Sequence, residues 1–139
     1  MKPVDLLLEH PLGMIIGMFS VAILELIVFL FFFELLTSYR CWEEIKKGNI
    51  AAALATGGKI FGICNIMRSA AAGATIYEFM IISAIGVGLL FGAYLLFEFL
   101  TPVFRIDREI GMGNRAVGII SLAVSVSVSF VIAACIALF

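Results

Sequence analysis

Four long apolar runs alternate with short polar stretches along this chain, at 12–36, 50–72, 76–100 and 116–139. A helix needs about 20 mostly apolar residues to cross the hydrocarbon core of a bilayer. The pattern therefore predicts an all-α integral membrane protein with four transmembrane helices. Residues 37–49 carry Arg40, Glu43, Glu44, Lys46 and Lys47 between the first two runs. Gly73 and Thr75 mark a tight return, and Thr101-Pro102 stops the third run before a second charged loop at 105–115. Residues 1–11 form a short amphiphilic leader between two prolines, expected at the membrane surface. They do not make a signal peptide, because the run that follows is too long and contains Glu25 and Glu34.

Composition narrows the classes of function. The chain has 139 residues, 63% hydrophobic and 14% charged, where a soluble domain is nearer half and a quarter. Four spans leave no length for a soluble catalytic domain. The net charge of −1 gives no reason to expect a nucleic-acid partner. Cys41, Cys64 and Cys135 are widely separated and read as apolar packing residues. The one histidine, His10, cannot build a metal site without further ligands, so neither metal nor cofactor is expected. No HExxH, GxSxG or phosphate-loop motif is present.

Basic residues set the expected orientation. Arg40, Lys46 and Lys47 lie in one charged loop and Arg105, Arg108 and Arg115 in the other, against Lys2 and Arg68 at the opposite side. By the positive-inside rule both loops are cytoplasmic and both termini outside, with Tyr39 and Trp42 at the inner interface and Tyr77 at the outer one.

An internal repeat divides the chain. FELLTSYRCWEEIKKGNIAAAL at 33–54 returns as FEFLTPVFRIDREIGMGNRAVGI at 97–119. Phe33-Glu34 matches Phe97-Glu98 and Leu36-Thr37 matches Leu100-Thr101; after one inserted residue, Glu44, Gly48-Asn49 and Ala51 match Glu109, Gly113-Asn114 and Ala116. An even number of spans separates the copies. They are therefore expected to be parallel two-helix hairpins, 12–73 and 74–139, related by an axis along the membrane normal. The FE-L-T(P) element, the acidic loop and the Gly-Asn-x-Ala element resemble the YjfL-type family of small membrane proteins (domain of unknown function 350), over both halves. Ser38 departs from that pattern where the second copy has Pro102. The resemblance implies a bacterial inner-membrane protein, some of whose relatives accompany envelope-maintenance proteins, and supplies no catalytic residues.

Charges inside the spans are the candidate site: Glu25, Glu34, Lys59, Arg68 and Glu98. Such groups cost about 2.5–3.5 kcal/mol each at mid-bilayer on insertion scales and face protein or a wet cavity. They are read either as pairs that fix helix register or as working residues. Antiparallel depth matching sets Glu34 level with Lys59 and Glu25 level with Arg68. Residues nine apart on one helix, about 900° round, lie on opposite faces, so only one pair fits within the hairpin. The other must look toward the second hairpin or another subunit. The second copy has Leu89, Val124 and Ala133 where the first has Glu25, Lys59 and Arg68, so only Glu34 and Glu98 are duplicated. The expectation is an inner polar site of Glu34 and Glu98, with Lys59 as shared counter-charge.

Gly48-Asn49 and Gly113-Asn114 read as a turn plus helix cap, or as a ligand contact. Ser121, Ser125, Ser129, Ala133 and Ala137 make a small-residue tape, with shorter ones at Gly13/Gly17, Gly58/Gly62 and Ala84/Gly88/Gly92. Such tapes let helices approach closely, within one unit or between subunits; the serines could also line a pore. Two functions remain open. One is a non-enzymatic oligomeric scaffold or accessory subunit, with the lipid bilayer and a like subunit or another membrane protein as partners. The other is a small ion or proton pathway through Glu34, Glu98 and Lys59.

Overall fold

The structure is a computed structural model and describes residues 3–100 and 105–138. Among these described residues seven helices follow in order: α1 (Pro3–Glu9), α2 (Pro11–Leu36), α3 (Cys41–Lys46), α4 (Ile50–Ala70), α5 (Ile76–Leu100), α6 (Ile106–Gly111) and α7 (Arg115–Ile136). Of these, α2, α4, α5 and α7 are long and apolar enough to cross a membrane. The protein is thus an all-helical transmembrane protein, with the spans where the hydropathy pattern puts them. Lys2, the stop at Thr101-Pro102, Thr101 of the Leu100-Thr101 match and Phe139 lie outside the described residues.

Local chemistry fixes each helix end. His10 caps α2 by accepting the Leu12 N–H at 3.3 Å, with Pro11 in the first turn, where a missing N–H costs nothing. Thr75 and Glu78 close a capping box at the start of α5. Gly73 takes the turn before it at φ +73°.

The caps of α4 and α7 agree bond for bond. Gly48 and Gly113 have φ of +87° and +83°, the left-handed region that favours glycine. Asn49 accepts the Ala52 N–H at 3.1 Å and Asn114 the Val117 N–H at 3.4 Å. Each Asn amide also donates to the carboxylate of the short helix before it, Asn49 to Glu44 and Asn114 to Glu109. Both cap at the same end of the molecule, because Asn49 reaches across to the Ile110 carbonyl at 2.8 Å.

The parallel pair α4 and α7 forms the spine. A Cβ at Gly58 would stand 2.7 Å from Leu122 Cα, and one at Gly118 would stand 2.7 Å from Ala51 Cα, so the backbones nearly touch. Ser121, Ser125, Ser129 and Ala133 are buried in this contact, which makes the tape an intramolecular one. By contrast the first hairpin is loose: of α2, Phe33 alone is buried. The shorter tapes differ as well. Gly13 is covered by the Leu7 backbone of α1, while Gly88 and Gly92 have nothing within 4 Å. Two cysteines are likewise not core residues: Cys41 is buried, but Cys64 and Cys135 are exposed.

The near-contact at Gly58 sets a test. Gly58→Ala should destabilise the protein by about 1–3 kcal/mol, the usual cost of overpacking. Gly57→Ala, with open space around it, should leave the melting temperature in detergent unchanged or slightly raised. Equal melting temperatures for both variants would contradict this packing.

Candidate functional site

Lys59 sits on the third turn of α4, about 15 Å from the Asn49 cap and so near mid-bilayer depth if the capped end lies at the interface. Its side chain is 1% exposed. The ammonium donates to Ser125 Oγ on α7 and stands 4.4 Å from the Tyr94 ring centroid and 5.4 Å from that of Phe33. A hydrogen bond to a charged group contributes about 1.5–3 kcal/mol, and each cation–π contact about 0.5–2. Together these offset an insertion cost of about 2.5–3.5 kcal/mol, so Lys59 needs no carboxylate beside it.

The structure therefore corrects the expected Glu34–Lys59–Glu98 cluster. Depth matching is right to within a residue, since Phe33 faces Lys59, but the helix turns Glu34 aside. Glu34 is half-buried; its carbonyl accepts the Thr37 hydroxyl at 3.1 Å, but its carboxylate makes no hydrogen bond or ion pair among the described residues. Glu98 instead accepts the Asp107 N–H at 3.3 Å, at the start of α6. Glu25 looks across to the second half, taking a 2.6 Å hydrogen bond from Ser83 Oγ on α5. Arg68, exposed, donates to Asn65 on its own helix at 3.1 Å. The ion pairs among the described residues are Arg40–Glu43 and Lys47–Glu44, both outside the spans.

Polar groups continue along the spine on both sides of Lys59. Toward the far end Asn65 donates to Ser129 at 3.1 Å and Ser69 to the Ala133 carbonyl at 2.9 Å. Toward the capped end Thr56, Ser121, Tyr94 and Tyr39 each bury a hydroxyl with no hydrogen-bond partner among the described residues. A cavity of about 400 Å³ opens beside Lys59 between α5 and α7, walled by Leu90, Ile120, Val124 and Val128 and reached by Tyr94, Ser121 and Ser125. Beyond the charges and the serine tape weighed above, Asn65, Thr56 and Tyr94, polar groups inside apolar runs, are visible in the sequence by the same criterion.

Asp107 was missed altogether, because its loop reads as solvated. It is buried, accepting the Ser38 N–H at 3.0 Å on one oxygen while the other has no partner among the described residues. Burial raises its carboxyl above the ordinary range; the Ser38 bonds and, more weakly, the Lys59 charge pull the other way. Burial also pushes up the Tyr39 phenol, with added repulsion from Cys41, Asp107 and Glu98. Tyr39 accordingly turns its hydroxyl inward, whereas Trp42 and Tyr77 are exposed as interface residues would be.

A raised carboxyl pKa favours the folded state when protonated. That contribution is complete below the ordinary value of 3.8 and is lost as pH rises through the raised one. Asp107→Asn keeps an acceptor for Ser38 and removes the titration. Its melting temperature should gain on the wild type as pH rises from acid to neutral; a difference independent of pH would refute the assignment.

Comparison with known proteins fits the geometry. The family described as Domain of Unknown Function (DUF350) matches residues 7–136. The UPF0719 transmembrane protein YshE of Bacillus subtilis (strain 168) is 49% identical over 127 residues, 91% of this chain and 95% of that relative. No solved structure matches. Both matches run through the long helices and the two capped loops, and the chain belongs to the DUF350 family of transmembrane proteins.

Proposed function

We propose that the protein is a non-enzymatic accessory subunit of the bacterial inner membrane that works as an oligomer in envelope maintenance. Charged loops on the cytoplasmic side and both termini outside complete this reading, on the distribution of basic residues. The observation that carries the assembly is α2. This helix buries a single side chain against its own chain and leaves the Glu34 carboxylate without a bond among the described residues. An intramembrane carboxylate is expensive against lipid, and a second copy supplies the donors that the chain itself withholds. The two halves, with their matched caps, then act as duplicated units of which the first has gained the charges.

Native mass spectrometry from lipid nanodiscs should give an integer multiple of the chain mass, with Glu34→Ala shifting the population toward monomer. A monomer at every concentration would overturn the proposal.

The polar seam along α4 and α7 favours a second reading, a proton or ion pathway. The seam runs through Thr56, Lys59, Ser125, Asn65 and Ser129, with Glu34 and Glu98 standing apart from it. The close helix contact at Gly58 argues against an open pore. Proteoliposomes should then dissipate a pH gradient and lose that flux with Lys59→Met; a gradient held as firmly as in protein-free vesicles would remove this reading.

A further inference from the structure

We propose that the cavity beside Lys59 is a binding site for a single-chain amphiphile with a carboxylate head, the chemistry of a long-chain fatty acid. This goes beyond the assembly proposed above and does not depend on it.

Three features select the head group. Lys59 is 1% exposed, and no carboxylate stands within ion-pair distance of it among the described residues. Beside it, Ser121 and Tyr94 line the cavity with buried hydroxyls that lack hydrogen-bond partners among the described residues, at 5% and 6% exposure. Buried polar groups without partners are rare and mark a missing ligand or water. An ammonium with two spare hydroxyls is a donor set for an anion, and a charge-assisted pair in a low-dielectric site is strong.

The walls select the tail. Leu90, Val124 and Val128 are apolar, and the volume of about 400 Å³ falls in the range of small-ligand sites, about 300–1,000 Å³. Ile120, which also lines the cavity, is 61% exposed on the outer face of α7. The mouth thus opens sideways, where lipid chains lie against spanning helices. The cavity runs from Lys59 to Asn114 and Ile106 at the capped end. Lys59 stands about 15 Å below that end, a depth that a carboxylic acid reaches by entering the hydrocarbon as a neutral molecule, whereas a zwitterionic or glycerophosphate head stays at the interface, out of reach of the ammonium. On binding, its proton is released to water and the carboxylate pairs with the Lys59 ammonium.

The test is titration of the full-length protein in lipid nanodiscs with carboxyl-¹³C palmitate, read from the shift of the carboxyl resonance. Saturable binding is expected, weakened at least tenfold by Lys59→Met and several-fold by Ser121→Ala. Val124→Phe, which fills the cavity and leaves Lys59 untouched, should also abolish it, so loss does not rest on one substitution. Hexadecanol and acetate, lacking head charge and tail respectively, should fail to compete, and a lysophosphatidic acid of equal chain length should compete weakly. Binding unchanged in Lys59→Met and Val124→Phe, competition by hexadecanol equal to that of palmitate, or no saturable shift would each overturn the proposal. The oligomer mass is measured separately and bears on assembly alone.

Discussion

The close approach of α4 to α7 is the constraint on which the rest depends. Inside a bilayer, burying apolar surface gives helices no reason to associate, because lipid tails are as apolar as leucine. What remains is van der Waals contact and hydrogen bonding, and both are concentrated here. Gly58 and Gly118 remove the side chains that would hold the backbones apart. Ser125 and Ser129 then face Lys59 and Asn65 across a gap short enough to bond. The polar seam is therefore a consequence of the glycines as much as of the polar residues. Without them Lys59 would have neither Ser125 nor the enclosed site that shields it from lipid.

The two capped loops set the register of that contact. Parallel helices match level for level only if they begin level, and Asn49 and Asn114 begin them in the same way with the same bonds. The bond from Asn49 to the Ile110 carbonyl ties one cap to the other. Glu98 and Asp107 extend the same end: Glu98 takes the Asp107 N–H in the first turn of α6, and Asp107 takes the Ser38 N–H after α2. Glu98, one of the two duplicated acids, thus serves a helix end, while the ammonium at mid-depth is left to hydroxyls and rings. Phe33 and Tyr94, stacked edge to face at 5.7 Å, close that chamber from the α2 side.

Much of this was legible in the residues. The spans follow from apolar run length, and the Gly-Asn caps from the left-handed turn and the Asx acceptor. The level of Lys59 relative to α2 followed from antiparallel counting. Its azimuth did not: one residue of rotation replaced Glu34 by Phe33 and an ion pair by a cation–π contact. Partner choice was equally hidden. Adjacency in sequence favoured α2 for α4, yet a helix of large apolar side chains offers α4 no close approach, and the serine tape of α7 does. Asp107 could not be found from its loop, since its burial comes from the fold-back of α6 against α4, a contact between elements far apart in the chain.

The most direct test of the account is a disulfide between α4 and α7 in native membranes. With Cys41, Cys64 and Cys135 replaced by alanine, cysteines at Gly62 and Ser129 would set their Cβ atoms 3.3 Å apart, near the roughly 3.5–4.5 Å of a disulfide. Oxidation should join them within one chain, giving a faster-migrating monomer in near-complete yield. A crosslink formed only between chains, or none while the protein remains folded, would contradict the parallel α4–α7 spine.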